Sequence, residues 1–505
     1  MSIALLGWIS QKVSDMTRKS LKQKAASGMV WTALQRYSTM GIQFISGIVL
    51  ARLLTAFDYG CIGMLSIFMV LADSFIDGGF GSALIQKKSP TQVDYSTIFW
   101  WNCGMAFMMY IILFLCAPAI SRFYETPILC SVLRVQGLVL FIHAFNLIQR
   151  NQLQKKLNFK ILSIVSITTS IIALGVTIIM AIKGMGVWAL VAQNLIVAAI
   201  PSLVFWFQVK WRPHWVFSWQ SFKDLFGFGF YMFLTHLINN IGQKIQGLLI
   251  GKVYSPSTMG YYSKAEGTEK LASTSISSIM TQVTYPLYAE VQENKAALSN
   301  MIRRITMTLA FITFPLMSIL LLCAKPIFVL LYSDRWIQSV PYFQVLCLAG
   351  LAGCLQAVNL QAISAIGKSK TMFLWTLVKR FVGIGAVIIG LVYWGMKGLL
   401  VGVIINYWFS YFVNISLVSK HVGYKFWSQI SDLFPVAVVS LFSAAVSFGV
   451  SYSLHLEMYP DGIVKASVFA IIYLGWSLVF KPEAYKYFLT VIPTFFMRGK
   501  KNHSV

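Results

Sequence analysis

Arg36, His236 and Lys244 each stand inside a run of mostly apolar residues, and so do Asp73 and Asp77, four positions apart. A charge in the hydrocarbon interior is costly, so such residues by default line a water-filled path or pair with one another. Arg36 and Lys244 lie roughly nine to fifteen residues from the ends of their runs, too deep for the charged head to reach an interface at a rise of about 1.5 Å per residue. Lys264, Glu266, Glu269 and Lys270 form a second group within seven residues; with Arg36, His236 and Lys244 they would line one face of a cleft with positive charge. The alternative is that Lys264 with Glu266 and Glu269 with Lys270 neutralise each other or snorkel to an interface. A lone intramembrane His, as at 236 or 143, is commonly hydrogen-bonded structure. Asp73 and Asp77 share a helix face: Asp73, the deeper, is placed to exchange a proton, bind Na⁺ or pair with a cation, whereas Asp77 precedes Gly78 and Gly79 and reads as a cap or gate contact.

The elements that must hold these residues are membrane helices. Hydrophobic residues make up 57% of the chain and charged ones 11%, with a mean hydropathy of +0.70, far from the soluble norm of about a quarter charged. Apolar segments of helix-spanning length recur, and the ten-residue alternation of a barrel is absent. About fourteen spans are expected, at 27 to 51, 60 to 82, 96 to 119, 129 to 150, 160 to 182, 186 to 209, 222 to 251, 257 to 286, 303 to 331, 339 to 365, 371 to 394, 397 to 419, 433 to 454 and 463 to 480. The net charge of +25 does not indicate nucleic-acid binding, because about 26 of the 41 Lys and Arg fall in the two ends and alternate connections, the positive-inside asymmetry. Both termini are therefore expected in the cytoplasm. The seven Cys lie in or beside apolar segments with no CxxC pair, as inert membrane thiols would.

The chain is also built twice. Residues 27 to 60 reappear as 227 to 260, matching Gln43 with Gln243, Ile45 with Ile245, Gly47 with Gly247 and Gly60 with Gly260. Farther on, Gly186 and Asn194 fall opposite Gly398 and Asn406, and Asn146 opposite Asn359. Six helices separate the copies, and an even number leaves them in the same orientation, as parallel repeats of a transporter are. This organises the all-α fold as an interfacial amphipathic segment (1–24), an N-terminal six-helix lobe (25–215), a C-terminal six-helix lobe (216–425), two added helices (426–480) and a basic cytoplasmic tail (481–505).

The run GIVLARLLTAFDYGCIGMLSIF at 47 to 68, DGGFGSALIQKK at 77 to 88, DYSTIFWWN at 94 to 102, RNQLQKKLNFK at 150 to 160, GMGVWALV at 184 to 191 and YSKAEGTEKL at 262 to 271 together resemble the polysaccharide transporter family of lipid-linked oligosaccharide flippases, in particular its colanic-acid-type exporters. The resemblance implies two six-helix lobes around a central cavity plus two helices, like the multidrug and toxin exporters and the lipid II flippase. It implies an undecaprenyl-pyrophosphate-type lipid bearing an oligosaccharide as substrate, moved across a bacterial cytoplasmic membrane, with polysaccharide polymerase machinery as a partner. A diphosphate needs buried cations, and Arg36, Arg52, His236, Lys244, Lys252, Lys264 and Lys270 are the candidates for it or for acidic sugars. Of these, only Arg52 lies within a matching motif.

Two other function classes fit less well. A cation-coupled drug exporter of the same superfamily would favour acidic cavity residues, and this candidate cleft is net basic. A membrane-embedded glycan transferase needs carboxylates or His gathered at an aqueous loop, whereas Asp58, Glu125, Asp334, Glu457 and Asp461 are scattered singly. No GxxxxGK[ST] loop occurs, so drive by H⁺ or Na⁺ or by substrate flow is expected, without a metal or organic cofactor.

Overall fold

The computed structural model describes residues 2–489, with side chains from residue 27 onward apart from those at 29, 228, 231, 279, 282, 283, 285, 286, 369 and 370. The side chains of the expected 1–24 amphipathic segment and residues 490–505 of the tail lie outside the described residues. No strand occurs among the described residues, and the chain divides into two compact units, Met1–Ser257 and Thr258–Val505. The division falls after α9, not at 215/216 where the repeat changes copy, because α9 packs on α2, α3 and α4.

The first unit contains α1 (Ser2–Leu53), α2 (Ala56–Asp77), α3 (Phe80–Gln86), α4 (Gln92–Phe123), α5 (Ile128–Gln136), α6 (Leu138–Lys155), α7 (Phe159–Ile182), α8 (Val187–Gln208) and α9 (Trp219–Val253). Here α1 lies along α7, α7 along α8, and α6 against α4 and α8. The second unit contains α10 (Pro256–Val291), α11 (Lys295–Leu322), α12 (Ala324–Tyr332), α13 (Val340–Ala365), α14 (Ser369–Val422), α15 (Phe426–Leu454) and α16 (Met458–Phe480). In it α13 packs on α11 and α14, and α15 on α11 and α16.

The quoted motifs are mostly helix punctuation. Thr55 and Asp58 form a capping box at the start of α2, as Thr91 and Asp94 do at α4; each satisfies amide donors that lipid could not. The expected span at 60 to 82 breaks into α2 and α3 at Gly78 and Gly79, whose φ of 52° and 75° suits glycine. A side chain on Gly79 would also overlap the carbonyl of Gly229 on α9. Likewise the 303 to 331 span is two helices, α11 and α12, meeting at Cys323.

Ten helical stretches among the described residues are apolar and long enough to span a membrane. One of them, α14, breaks at Gly395 (φ 59°, ψ −139°), and α1, α9 and α10 are long helices of lower hydropathy that carry the internal charges. These together are consistent with the expected fourteen. The Gly395 conformation repeats that of Gly186 (φ 53°, ψ −127°), so the backbone pairs Gly186 with Gly395, not with Gly398 as the sequence offset does. Gly398 has a different task, since a side chain there would overlap the carbonyl of Gly390.

Candidate functional site

A cavity of about 920 Å³ opens within the first unit. Four helices turn a polar stripe toward it: α1 with Thr32, Gln35, Arg36 and Thr39, α2 with Asp73, Ser74 and Asp77, α6 with His143, Asn146, Arg150, Asn151 and Gln154, and α9 with His236 and Asn240. The spacings of three, four and seven are those of one helix face. Leu147, Leu162, Val197, Pro201, Phe205 and Phe233 supply the apolar wall. Several polar groups fix their neighbours. Gln35 Nε2 donates to Ser166 Oγ on α7 at 2.9 Å, and Asn240 Nδ2 donates to Ser74 Oγ at 2.9 Å. His143 Nδ1 stands 3.2 Å from Asp73 Oδ1. Asp77 accepts from the Gly79 and Gly81 amides, and a side chain on Gly81 would come 2.9 Å from its Oδ1. The DGGFG motif therefore fastens Asp77 to the cavity wall as a cap of α3. Arg36 and Arg150 make no ion pair among the described residues, so both guanidinium groups are available to an anion. The arrangement holds two cationic forks, a carboxylate–imidazole pair and several amides; it can recognise an anionic, hydroxyl-rich headgroup, and guanidinium suits bidentate phosphate contacts.

Residues 49–341 match the family described as polysaccharide biosynthesis protein. The chain belongs to that family. Among its relatives are the teichuronic acid biosynthesis protein TuaB of Bacillus subtilis, 25% identical over 70% of this chain and 74% of that protein, and the lipopolysaccharide biosynthesis protein WzxC of Escherichia coli, 24% identical over 86% and 89%. The succinoglycan biosynthesis transport protein ExoT of Rhizobium meliloti is 25% identical over 71% and 73%. Among solved structures, the lipid II flippase MurJ in its inward closed conformation superposes with a TM-score of 0.68 at 15% identity, covering 90% of this chain and 98% of that one. An inward-facing multidrug resistance MATE family transporter gives 0.61 at 15% identity, covering 78% and 98%. This family member is therefore a multi-pass membrane protein of the MurJ and MATE fold.

Of the residues expected at the site, Arg36, Asp73, Asp77 and His236 come together in the cavity. Arg52, Lys244 and Lys252 belong to the same unit but do not line it. Arg52 is exposed in the last turn of α1, and Lys244 is half-buried on α9. Lys252 donates to the Phe123 carbonyl at 2.8 Å, lies 4.9 Å from the Phe123 ring centre and stands 3.6 Å from Glu125, so it caps the end of α4. Lys264 and Lys270 are in the second unit. Lys264, 7% exposed, lies over the Tyr332 ring at 4.0 Å and over the Trp336 ring at 5.6 Å from their centres, a cation–π box. Lys270 pairs with Glu266 at 2.6 Å, a pairing at i,i+4 rather than the neighbouring one with Glu269.

The expected span of 129 to 150 ends at Arg150 and leaves out Asn151 and Gln154, yet α6 continues to Lys155 and carries all three along the cavity wall. Their signal was the stripe at 143, 146, 150, 151 and 154. The second unit also hides a cation that hydropathy did not single out. Lys379 on α14 is 8% exposed, and its Nζ donates to Asn414 Oδ1 at 2.9 Å.

Proposed function

We propose that this chain is a flippase that translocates lipid-linked oligosaccharide across a bacterial cytoplasmic membrane, by alternating access, for surface polysaccharide biosynthesis. The observation that carries the reading is the polar cavity enclosed by apolar helices, with Arg36 and Arg150 as cations that have no counter-ion of their own among the described residues. On this reading the substrate is an undecaprenyl-pyrophosphate-type lipid: Arg36 and Arg150 take the diphosphate, the amides of Gln35, Asn146, Asn151, Gln154 and Asn240 take sugar hydroxyls, and the isoprenoid tail stays in the bilayer. No bond is made or broken, so the protein acts as a transporter and not as an enzyme, and both its termini face the cytoplasm. Asp73, paired with His143, is the group through which H⁺ or Na⁺ would couple, because a substrate group drawing the His143 ring toward itself frees the carboxylate to take up a cation. Polysaccharide polymerase machinery would receive the exported unit. The names of WzxC, ExoT and TuaB, which refer to lipopolysaccharide biosynthesis, succinoglycan biosynthesis transport and teichuronic acid biosynthesis, support this reading.

The test is a chase of radiolabelled sugar in cells lacking the gene. Build-up of the lipid-linked form with loss of surface glycan, reversed by the wild-type gene, is the expected result; unchanged surface glycan would refute the assignment.

A further inference from the structure

A second cavity, of about 380 Å³, lies in the other unit, where the C-terminal end of α15 and the N-terminal end of α16 meet the start of α12. Its polar centre is Lys325, His455, Asp461 and Lys465. Asp461 is fully engaged: one carboxylate oxygen takes the Ser451 hydroxyl and the other Lys465 Nζ at 2.6 Å. The Lys465 backbone carbonyl in turn accepts from Ser447 Oγ at 2.6 Å. This leaves Lys325, exposed and without an ion pair among the described residues, and His455, held in the left-handed conformation at φ 46° with its ring exposed and its Nδ1 3.2 Å from the Ser453 carbonyl. The rim is apolar and open: Phe448 and Tyr452 are stacked 6.5 Å apart and exposed, and Leu456 is exposed beside them. The position is built. Gly462 lets α16 approach α12, since a side chain there would come 2.7 Å from Pro326, and Cys323 Sγ donates to the Gly462 carbonyl at 3.4 Å.

We propose that this cavity is a headgroup site for an anionic phospholipid. Asp461 faces two ammonium groups, Lys465 in direct contact and Lys325 farther off, so the charge sum around the cavity is positive and a phosphodiester finds that excess at Lys325, with the His455 ring lining the same cavity. Aromatic residues at a bilayer interface favour an amphipathic ligand, and basic pockets between membrane helices hold anionic headgroups. The open face past Phe448, Tyr452 and Leu456 gives the acyl chains a route into the bilayer that a soluble anion would not need. On the orientation proposed above, with both termini cytoplasmic, this lipid belongs to the outer leaflet. The volume falls within the range of small-ligand sites, roughly 300 to 1,000 Å³.

The experiment is native mass spectrometry of the purified full-length protein in detergent, titrated separately with phosphatidylglycerol, phosphatidylcholine and inorganic phosphate. The proposal expects one phosphatidylglycerol bound at least about tenfold more tightly than phosphatidylcholine. That preference should fall about tenfold in a Lys325→Gln/His455→Gln protein, as for the loss of one charge-assisted contact, and be retained in Lys325→Arg, which shows that the site still folds. Equal affinity for the two lipids, an unchanged preference in the double variant, or phosphate displacing the lipid at equal concentration would overturn it.

Discussion

Arg36 and Arg150 reach one cavity from different helices, and their side chains carry the sharpest predictions. Arg36→Ala should abolish export of surface glycan while leaving the amount of protein in the membrane unchanged, because it removes an anion contact without touching helix packing. Arg150→Ala should lower transport by about ten- to hundredfold, the scale of one lost hydrogen bond to a charged group at about 1.5–3 kcal/mol; initial rates of glycan export check both. Asp73→Asn should leave substrate binding in place but remove the dependence of transport on an imposed ion gradient, measured with and without an ionophore. Arg36 was legible because a single charge stands among apolar neighbours. Arg150 was not, because charge at the end of an apolar run looks the same whether the helix stops or continues, and only the course of α6 separates the two. Lys264 shows the opposite case: its depth was legible, but the aromatic box that holds it depends on Tyr332 and Trp336, more than sixty residues away.

At the scale of the element, helix ends and close approaches decide what the motifs are for. Gly79→Ala must combine a left-handed backbone with overlap against Gly229, and the backbone conformation alone costs about 1–2 kcal/mol. The protein should therefore unfold at a lower temperature in detergent, whereas Gly104→Ala, with open space around the added methyl, should be close to neutral. A second prediction concerns the carboxyl end. Arg303 on α11 holds Asp432 of α15 with two hydrogen bonds of 2.7 and 2.8 Å and Glu483 at 2.9 Å, and Tyr424 donates to Asp432 at 2.6 Å. Burial and the Asp432 charge push the Tyr424 phenol up, so it stays a donor across the physiological range. Arg303→Ala should release the 483–489 segment, read as faster proteolysis of the C-terminal tail. The spans themselves were legible from hydropathy, and α1 and α9 also from the repeat despite their charges. The breaks at Gly78 and Gly79, at Cys323 and at Gly395 were less legible, because an apolar run hides a turn whose amides find partners inside the protein.

Across the whole molecule, the two helical units differ where chemistry is concerned. The first retains a wide polar cavity; the second uses its internal charges in local pairs and an aromatic box, and its Asn359, the repeat partner of cavity-lining Asn146, is fully buried. The central claim is that the first unit's cavity carries a lipid-linked glycan headgroup across the bilayer. The most direct measurement uses proteoliposomes holding a fluorescent isoprenoid-pyrophosphate oligosaccharide, scored by a membrane-impermeant reagent that reacts only with headgroups in the outer leaflet. Rapid exposure of the inner-leaflet pool with the wild-type protein, reduced to the rate of protein-free vesicles by Arg36→Ala, is the predicted result. Wild-type protein that leaves the inner pool protected, or an Arg36→Ala protein that exposes it at the wild-type rate, would contradict the account.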